Sequence, residues 1–169
     1  LKIKKEILLD GLNKVSKALS TKNLVPVLAG IKFDLTEKGL MLTASDNDIT
    51  IQVFIDKTEE MEIEKEGSII IQGKYILDIV RKLPDEFINI EVIDELKITI
   101  YTDNSEFNLN GIDKNEYPAI NLELSKNPLI LAGRDFRGNI SKTSYATSTD
   151  ESRPNLTGIN FKIVVNTME

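Results

Sequence analysis

The chain has 169 residues, a formal net charge of −6 and a hydrophobic fraction of 41%, which is typical of one or two globular domains. It contains neither cysteine nor histidine, which excludes disulfides, thiol chemistry and histidine-based catalysis within these residues. No stretch approaches the roughly 20 apolar residues of a membrane helix, and no signal-peptide pattern follows the basic start. We therefore expect a cytoplasmic protein that makes no contact with membranes.

The first part of the chain predicts a helix followed by closely spaced strands. A short strand at Lys2–Lys5 precedes a helix at Glu6–Ser20, where apolar residues recur at helical spacing. The tripeptide Glu37-Lys38-Gly39 predicts a hairpin turn, with glycine where a positive φ is useful. The strands predicted around and after that turn are Gly30–Leu35, Leu40–Ala44, Ile49–Ile55, Met61–Ile63 and Ser68–Ile71.

The same order of elements then returns. A second amphipathic helix is predicted at Lys74–Leu83, ended by Pro84. Strands follow at Phe87–Ile93, Leu96–Tyr101 and Ser105–Asn110. Because the connections between strands are short, we predict antiparallel sheets with the two helices of the domain on one face, an α+β fold.

A near-repeat at a spacing of 128 residues indicates duplicated domains. The segment Pro26–Phe33 returns as Pro154–Phe161, and 10 of the 22 positions from Leu12 to Phe33 are identical at that offset. This spacing is too long for a solenoid unit, which has roughly 20–50 residues. We therefore predict a complete first domain at residues 1–122 and an incomplete second one at residues 123–169.

The second domain is predicted to follow a proline-bearing linker at Tyr117–Pro128. Its pattern predicts a strand at Leu129–Ala132, a helix at Phe136–Thr147 and a strand at Leu156–Val165. Because that domain is incomplete, we expect unpaired strand edges and a tail that is labile to proteolysis and prone to swapping.

Charge is distributed unevenly between helical and strand-rich segments. Residues 11–32 carry +4 and residues 73–82 carry +2, whereas residues 33–72 carry −7 and residues 83–123 carry −8. If the helices share one face, that face attracts a polyanion while the strand-rich face repels one. Ordinary solvated charge is the alternative for any single helix. A chain this acidic is not expected to bind nucleic acid tightly by counterion release alone.

Few residues are suited to catalysis. Asp46 and Asp48 lack the glycine and the further ligands of a calcium loop. No glycine-rich nucleotide motif occurs, and Lys74 is interpreted as an exposed lysine at a helix start rather than a catalytic one. Tyr75 and Phe107 are interpreted as core or interface aromatics. We predict no metal site, no cofactor and no enzymatic activity.

Three motifs carry a resemblance to a known family. The run Thr143–Ile159 (TSYATSTDESRPNLTGI), the segment Leu24–Leu28 followed by Gly30, and Leu77–Pro84 together resemble the bacterial DNA polymerase III beta subunit, the sliding clamp. The resemblance covers the whole chain. It implies a DNA-clamp fold with three domains per subunit, the third absent here, and a head-to-tail dimer around duplex DNA. Helices would line the hole and sheets would form the outside, in a processivity factor without catalytic activity.

The resemblance also implies roles for individual residues. Lys22 matches a basic DNA-contacting loop residue, and Lys74 and Arg81 match basic residues on the helix that faces the hole. Phe107 and Leu109 match apolar residues of the edge strand that meets the other subunit of the homodimer.

A further pair of residues, Arg153 and Leu156, matches part of the groove that receives short peptides. The implied partners are double-stranded DNA, the DNA polymerase III alpha subunit, the clamp loader and other proteins that carry clamp-binding peptides. Two alternatives stay open: a protein-binding scaffold with no DNA role, and a metal-dependent enzyme that uses Asp46 and Asp48.

Overall fold

The computed structural model describes residues 1–19, 25–46, 48–120, 129–150, 152–164 and 167–168. The chain divides into two units, Leu1–Asn121 and Leu122–Glu169. The first unit contains two antiparallel sheets and two α-helices. Its elements are β1 (Lys2–Lys4), α1 (Lys5–Val15), β2 (Gly30–Thr36), β3 (Gly39–Ser45), β4 (Thr50–Asp56), β5 (Met61–Glu62), β6 (Gly67–Gln72), α2 (Gly73–Lys82), β7 (Phe87–Ile93), β8 (Lys97–Tyr101) and β9 (Glu106–Asn110).

The two sheets of the first unit exchange their leading strands. One has the strand order β5-β1-β7-β8-β9 and the other β4-β3-β2-β6. The unit thus contains two copies of a strand, a helix and three strands, together with the two-residue strand β5, and the first strand of each copy joins the sheet of the other. Ile3 of β1 pairs in register with Ile88 of β7, and Ile69 of β6 pairs with Phe33 of β2. Separating the two copies would break one pair of hydrogen-bonded strands in each sheet, β1 with β7 and β2 with β6.

A shared apolar core lies between the helices and the sheets. The residues that the helices bury are Leu8, Gly11, Leu12 and Val15 from α1 and Gly73, Ile76, Leu77 and Val80 from α2. Burial of each large aliphatic side chain contributes about 1.5–3 kcal/mol. Gly11 lets α1 approach the sheet closely, since a Cβ there would lie 2.9 Å from Ile55 Cδ1 and 3.0 Å from Leu42 Cδ1.

The elements predicted for the first unit are confirmed, with corrections at their ends. Lys5, predicted to end a strand, begins α1. Its Nζ donates hydrogen bonds to the carbonyl oxygens of Leu83 and, at 3.3 Å, Arg81, so its charge stabilises the carboxyl end of α2. α2 ends at Lys82 rather than Leu83, because Pro84 disfavours helical backbone at the residue before it.

The second unit repeats the start of the first in its structure. α1 and the 3-10 turn Ser16–Ala18 recur at the same offset of 128 residues as α3 (Gly133–Thr143) and the turn Ser144–Ala146. Another 3-10 turn, which begins with proline in both units, occurs at Pro26–Ala29 and at Pro154–Leu156. The helix predicted at residues 136–147 therefore begins earlier, at Gly133, and tightens into the turn after Thr143.

Of the two strands predicted for the second unit, one is wrong and the other forms only in part. Residues 129–132 form no strand, and of residues 156–164 only Ile163–Val164 (β10) does, pairing with Thr167–Met168 (β11). In the first unit β2 is hydrogen-bonded between β3 and β6. At the offset of 128 residues, β10 and β11 correspond to the end of β2 and the start of β3, and they pair in the same register. No counterpart of β6 occurs among the described residues of the second unit, so most of the apolar pattern after Leu156 has no ladder to join.

Burial also differs between the two units. The first contains a cluster of fully buried aliphatic residues, whereas no residue described between 129 and 162 is buried. Phe136 of α3 stacks on Phe161 with ring centroids 5.9 Å apart.

The helices are short, and α1 and α3 have 11 residues each. Within the described ranges, none has the length and hydropathy required to cross a bilayer.

Candidate nucleic-acid interface

One side of α2, of α1 and of the 3-10 turn Ser16–Ala18 that follows α1 is exposed and mainly basic. Their apolar residues face the core, so polar residues at helical spacing remain in solvent. Five of the nine exposed residues are basic and three are acidic, in contrast to the acidic strand-rich segments. We call these nine residues the helical face: Glu6, Asp10, Lys14, Lys17, Lys74, Tyr75, Asp78, Arg81 and Lys82.

Most of the cations on the helical face are free to meet an external anion. Lys14 pairs with Asp10 one helical turn earlier, with 2.7 Å between Nζ and Oδ2. Both side chains are exposed, and such a pair is worth only about 0.3–0.5 kcal/mol. Within the described part of the chain, Lys17, Lys74 and Lys82 form no ion pair. The face therefore has positive charge that its own acids do not neutralise.

Arg81 is held by a residue of the neighbouring helix. Its Nη2 donates a hydrogen bond of 2.8 Å to Oδ1 of Asn13 on α1, 68 residues away in sequence. The acceptor is a neutral amide, so the guanidinium keeps its full charge. A guanidinium has five N–H donors, and the others can bind a second acceptor such as a phosphate oxygen.

The DNA-contacting residues predicted from the sequence are placed in part. Lys74 and Arg81 are both exposed on α2, two turns apart, about 10 Å along the helix axis. Lys74 is an exposed lysine in the first turn, as predicted. Lys22 lies outside the described residues. Their contact with DNA stays a prediction.

Sequence reasoning also missed residues of this face. Tyr75, interpreted as a core or interface aromatic, is 55% exposed and so does not belong to the core. Asn13, Lys17 and Lys82 were not selected. Helical spacing could have selected Lys17 and Lys82, because both fall on the polar stripe of their helix. Nothing local marks Asn13, because its contact with Arg81 depends on how the two helices pack.

Among the described residues, the β9 strand lies at an edge of the five-stranded sheet, with only β8 beside it. Phe107 and Leu109 project from the same face of β9 and pair in register with Ile100 and Ile98. Leu109 packs against the core, whereas Phe107 is 38% exposed. The strand therefore offers unpaired backbone groups and one exposed aromatic, which suits pairing with another chain. The predicted dimer interface stays a prediction.

Arg153 and Leu156 share a compact turn in the second unit. The Leu156 amide donates to the Arg153 carbonyl at 2.9 Å, and the Ser148 amide donates to the Leu156 carbonyl at 2.8 Å. The Ser152 amide donates to Asp150 Oδ1 at 2.9 Å, and hydrogen bonding from Ser152 lowers the pKa of the Asp150 carboxyl. Leu156 is 54% exposed. The turn presents an apolar and a cationic side chain together, and their role in peptide binding stays a prediction.

Of the acidic pair proposed as an alternative metal site, Asp46 has a structural role. Asp46 Oδ1 accepts hydrogen bonds from the amides of Asp48 at 3.1 Å and Ile49 at 2.8 Å, which closes the turn before β4. In the ranges that the structure describes, no three acidic or histidine side chains converge on a point where they could hold an ion.

Comparison with known proteins decides the family. Residues 1–122 match the family described as DNA polymerase III beta subunit, N-terminal domain. The chain belongs to the DNA polymerase III beta subunit family. The resemblance found in the sequence motifs is thereby confirmed.

Individual relatives of this family match nearly the whole chain. A beta sliding clamp from Halalkalibacterium halodurans is 41% identical over 165 residues, which cover 95% of this chain and 43% of the relative. The crystal structure of a DNA polymerase III beta chain from Streptococcus pneumoniae is 34% identical with a TM-score of 0.88, covering 95% of this chain and 43% of that one. The chain thus spans less than half the length of these relatives, and the predicted α+β DNA-clamp fold is confirmed.

A third relative was solved with a ligand. The structure of a sliding clamp from Bartonella birtlesii bound to griselimycin is 27% identical, with a TM-score of 0.89 over 99% of this chain and 44% of the other.

Proposed function

We propose that this chain is part of a ring-shaped sliding clamp that encloses duplex DNA and tethers the replicative polymerase. The observation that carries the proposal is the helical face: a mainly basic surface on packed helices, in a chain of net charge −6 that belongs to the clamp family. A DNA duplex carries one negative charge per about 1.7 Å of axis and would be attracted to this face.

Enclosure explains why so acidic a protein can act on DNA. A ring that surrounds the duplex is retained by topology, so its contacts with phosphate do not have to supply the affinity. Exposed lysine and arginine side chains bind phosphates without reading the base sequence. Contacts of this kind can be exchanged as the ring moves along the duplex. The role is that of a non-catalytic accessory subunit, and it requires no metal and no cofactor from this chain.

Two further surfaces would serve assembly and recruitment. The β9 edge, with Phe107 exposed, would pair with the other subunit in a head-to-tail homodimer. The turn that carries Arg153 and Leu156 would form part of a groove for peptides of the DNA polymerase III alpha subunit, the clamp loader and other partners. The binding of griselimycin by the Bartonella relative supports a ligand groove in this family. The cytoplasm is the compartment in which these partners would meet it.

Loading onto circular DNA would test the proposal. The full-length gene product would be loaded onto nicked circles with its clamp loader and ATP, and the protein retained would be measured before and after linearising the circle. Loss of the protein on cutting would show enclosure. Equal retention on circular and linear DNA would mean ordinary surface binding and would refute the ring.

A protein-binding scaffold without a DNA role is the second candidate. It would use the same β9 edge and the same peptide groove, but its helical face would have no partner. Absence of the protein from both circular and linear DNA, together with binding of polymerase peptides, would establish this candidate.

A further inference from the structure

We propose that Asn13 positions the Arg81 guanidinium on the helical face for contact with a DNA phosphate. This inference rests on the proposed function, because it assumes that the helical face meets DNA. It assigns a positioning role to an uncharged residue of α1, whereas the residues expected to touch DNA are cations.

The geometry joins two helices at the surface of the first unit. Arg81 is in the last turn of α2 and Asn13 is in α1, and the bond between Nη2 and Oδ1 is 2.8 Å. Arg81 is exposed, so the bond is not needed to satisfy a buried polar group. What the bond does is restrict the rotamers of a long side chain that would otherwise sample many positions in solvent.

The contact between Arg81 and Asn13 differs from a salt bridge because its acceptor is a neutral amide. Lys14, the next residue of α1, is paired with the carboxylate of Asp10, which offsets its charge. The amide of Asn13 offsets none of the charge of Arg81. An arginine that is already ordered loses less conformational entropy when it binds phosphate, and it keeps free N–H donors for that contact. A bound phosphate would therefore meet a guanidinium that is both oriented and fully charged.

A double-mutant cycle would test the coupling. The full-length clamp and its variants Asn13→Ala, Arg81→Ala and the double variant would be titrated against a short DNA duplex at low salt, with binding followed by fluorescence anisotropy. We expect Asn13→Ala to weaken binding about two- to tenfold, the cost of immobilising one flexible side chain. In the Arg81→Ala background, Asn13→Ala should have no further effect.

A matched control uses Lys74, which lies on the same face of α2 and forms no bond with Asn13. Asn13→Ala and Lys74→Ala should weaken binding additively, because the two sites are independent. Alanine favours a helix interior, so Asn13→Ala should fold, and circular dichroism would check this. A merely structural role of Asn13 would lower binding equally in the presence and absence of Arg81.

The outcomes separate this inference from the proposed function. Equal effects of Asn13→Ala in the wild-type and Arg81→Ala backgrounds would overturn the positioning role, and so would unchanged binding in Asn13→Ala. In both cases, retention of the wild-type protein on circular DNA would leave the clamp function standing. If the wild-type protein is retained on neither circular nor linear DNA, both proposals are overturned.

Discussion

Gly39 begins β3 directly after the predicted hairpin turn, and its backbone shows why glycine is needed there. Its φ is +149°, a region that residues with a side chain rarely adopt. A Cβ at this position would collide with the Ile55 carbonyl oxygen and would lie 3.1 Å from the Lys57 amide nitrogen, both backbone atoms. The sequence predicted a turn with glycine at this place, and the structure confirms it.

Gly39→Ala should therefore destabilise the first unit by at least about 2 kcal/mol, because it combines an unfavourable φ with a backbone clash. Gly67→Ala is the matched control, since a Cβ at Gly67 would meet no atom within 4 Å. Urea unfolding followed by circular dichroism would measure both variants. Equal midpoints for the two variants would contradict the prediction.

Tyr117 is partly buried, so its phenol lies in a less polar environment than water. It packs against a small cluster of Val27, Leu28 and Ile70. Burial raises the pKa of the Tyr117 phenol to about 12, and the nearby backbone of Ser45 opposes this rise to a smaller degree. The unfolded chain ionises this group near its ordinary value of 10.0, whereas the folded chain holds the proton to higher pH.

This difference makes stability depend on pH. Between pH 10 and about 12 the unfolded state binds fewer protons than the folded state at Tyr117, so the free energy of unfolding should fall as pH rises. Tyr117→Phe removes the ionising phenol. Between pH 9 and pH 11 its free energy of unfolding should therefore fall by less than that of the wild type. Urea midpoints at both pH values would show it, with Tyr75→Phe as an exposed control. An identical fall in the free energy of unfolding of Tyr117→Phe and of the wild type between pH 9 and pH 11 would refute the raised pKa of Tyr117.

At the scale of elements, each half of the first unit depends on the other. β1 pairs with β7 and β6 pairs with β2, so parting the two copies would break one strand ladder in each sheet. The exchange of leading strands between the two sheets could not be predicted from the periodicity of the sequence, because an alternating pattern identifies a strand but not the strand beside it. The same limit explains the failed strand prediction after Leu156: an apolar run becomes a strand only where a ladder partner exists.

The β9 edge yields a prediction that separates folding from assembly. Leu109→Ala should destabilise the first unit by about 1–3 kcal/mol, since Leu109 packs against the core. Phe107→Ala should cost about 1–2 kcal/mol, less than loss of a fully buried Phe, because Phe107 is 38% exposed. Chemical denaturation would measure both costs. Sedimentation of the full-length protein should then show a weakened dimer for Phe107→Ala with its fold intact; an unchanged dimer would argue against Phe107 as an interface residue.

At the scale of the whole molecule, the position of the charge matters more than its sum. The net charge of −6 argues against tight DNA binding, yet the helical face is mainly basic. Within a Debye length of about 8–10 Å, a duplex at that face responds to nearby lysine and arginine residues more than to screened acids farther away. Acidic strand-rich segments and a basic helical face are compatible with the proposed function, in which DNA is held by enclosure.

Reversing the charge of three basic residues would test whether the position of the positive charge decides DNA loading. Lys22, Lys74 and Arg81 changed together to Glu should reduce loading on nicked circles roughly tenfold or more, with a shallower dependence on salt than the wild type because fewer phosphates are neutralised. Lys57, Lys97 and Lys114 changed to Glu give the same net charge and make a matched control, because they lie in the acidic strand-rich segments. Circular dichroism would check both folds. Equal loading by the two triple variants would show that net charge alone decides.

The sequence by itself determined the elements of the first unit, the repeat of 128 residues, the separation of charge and the family. These properties are local or compositional: helical stripes, turn glycines and prolines act over a few residues, and motifs such as Leu77–Pro84 are read directly. Tertiary structure decided which strands are neighbours, that Lys5 stabilises the end of α2, that Tyr75 is exposed and that Arg81 meets Asn13. Each of these depends on contacts between residues far apart in the chain, which form only when the helices and sheets pack together.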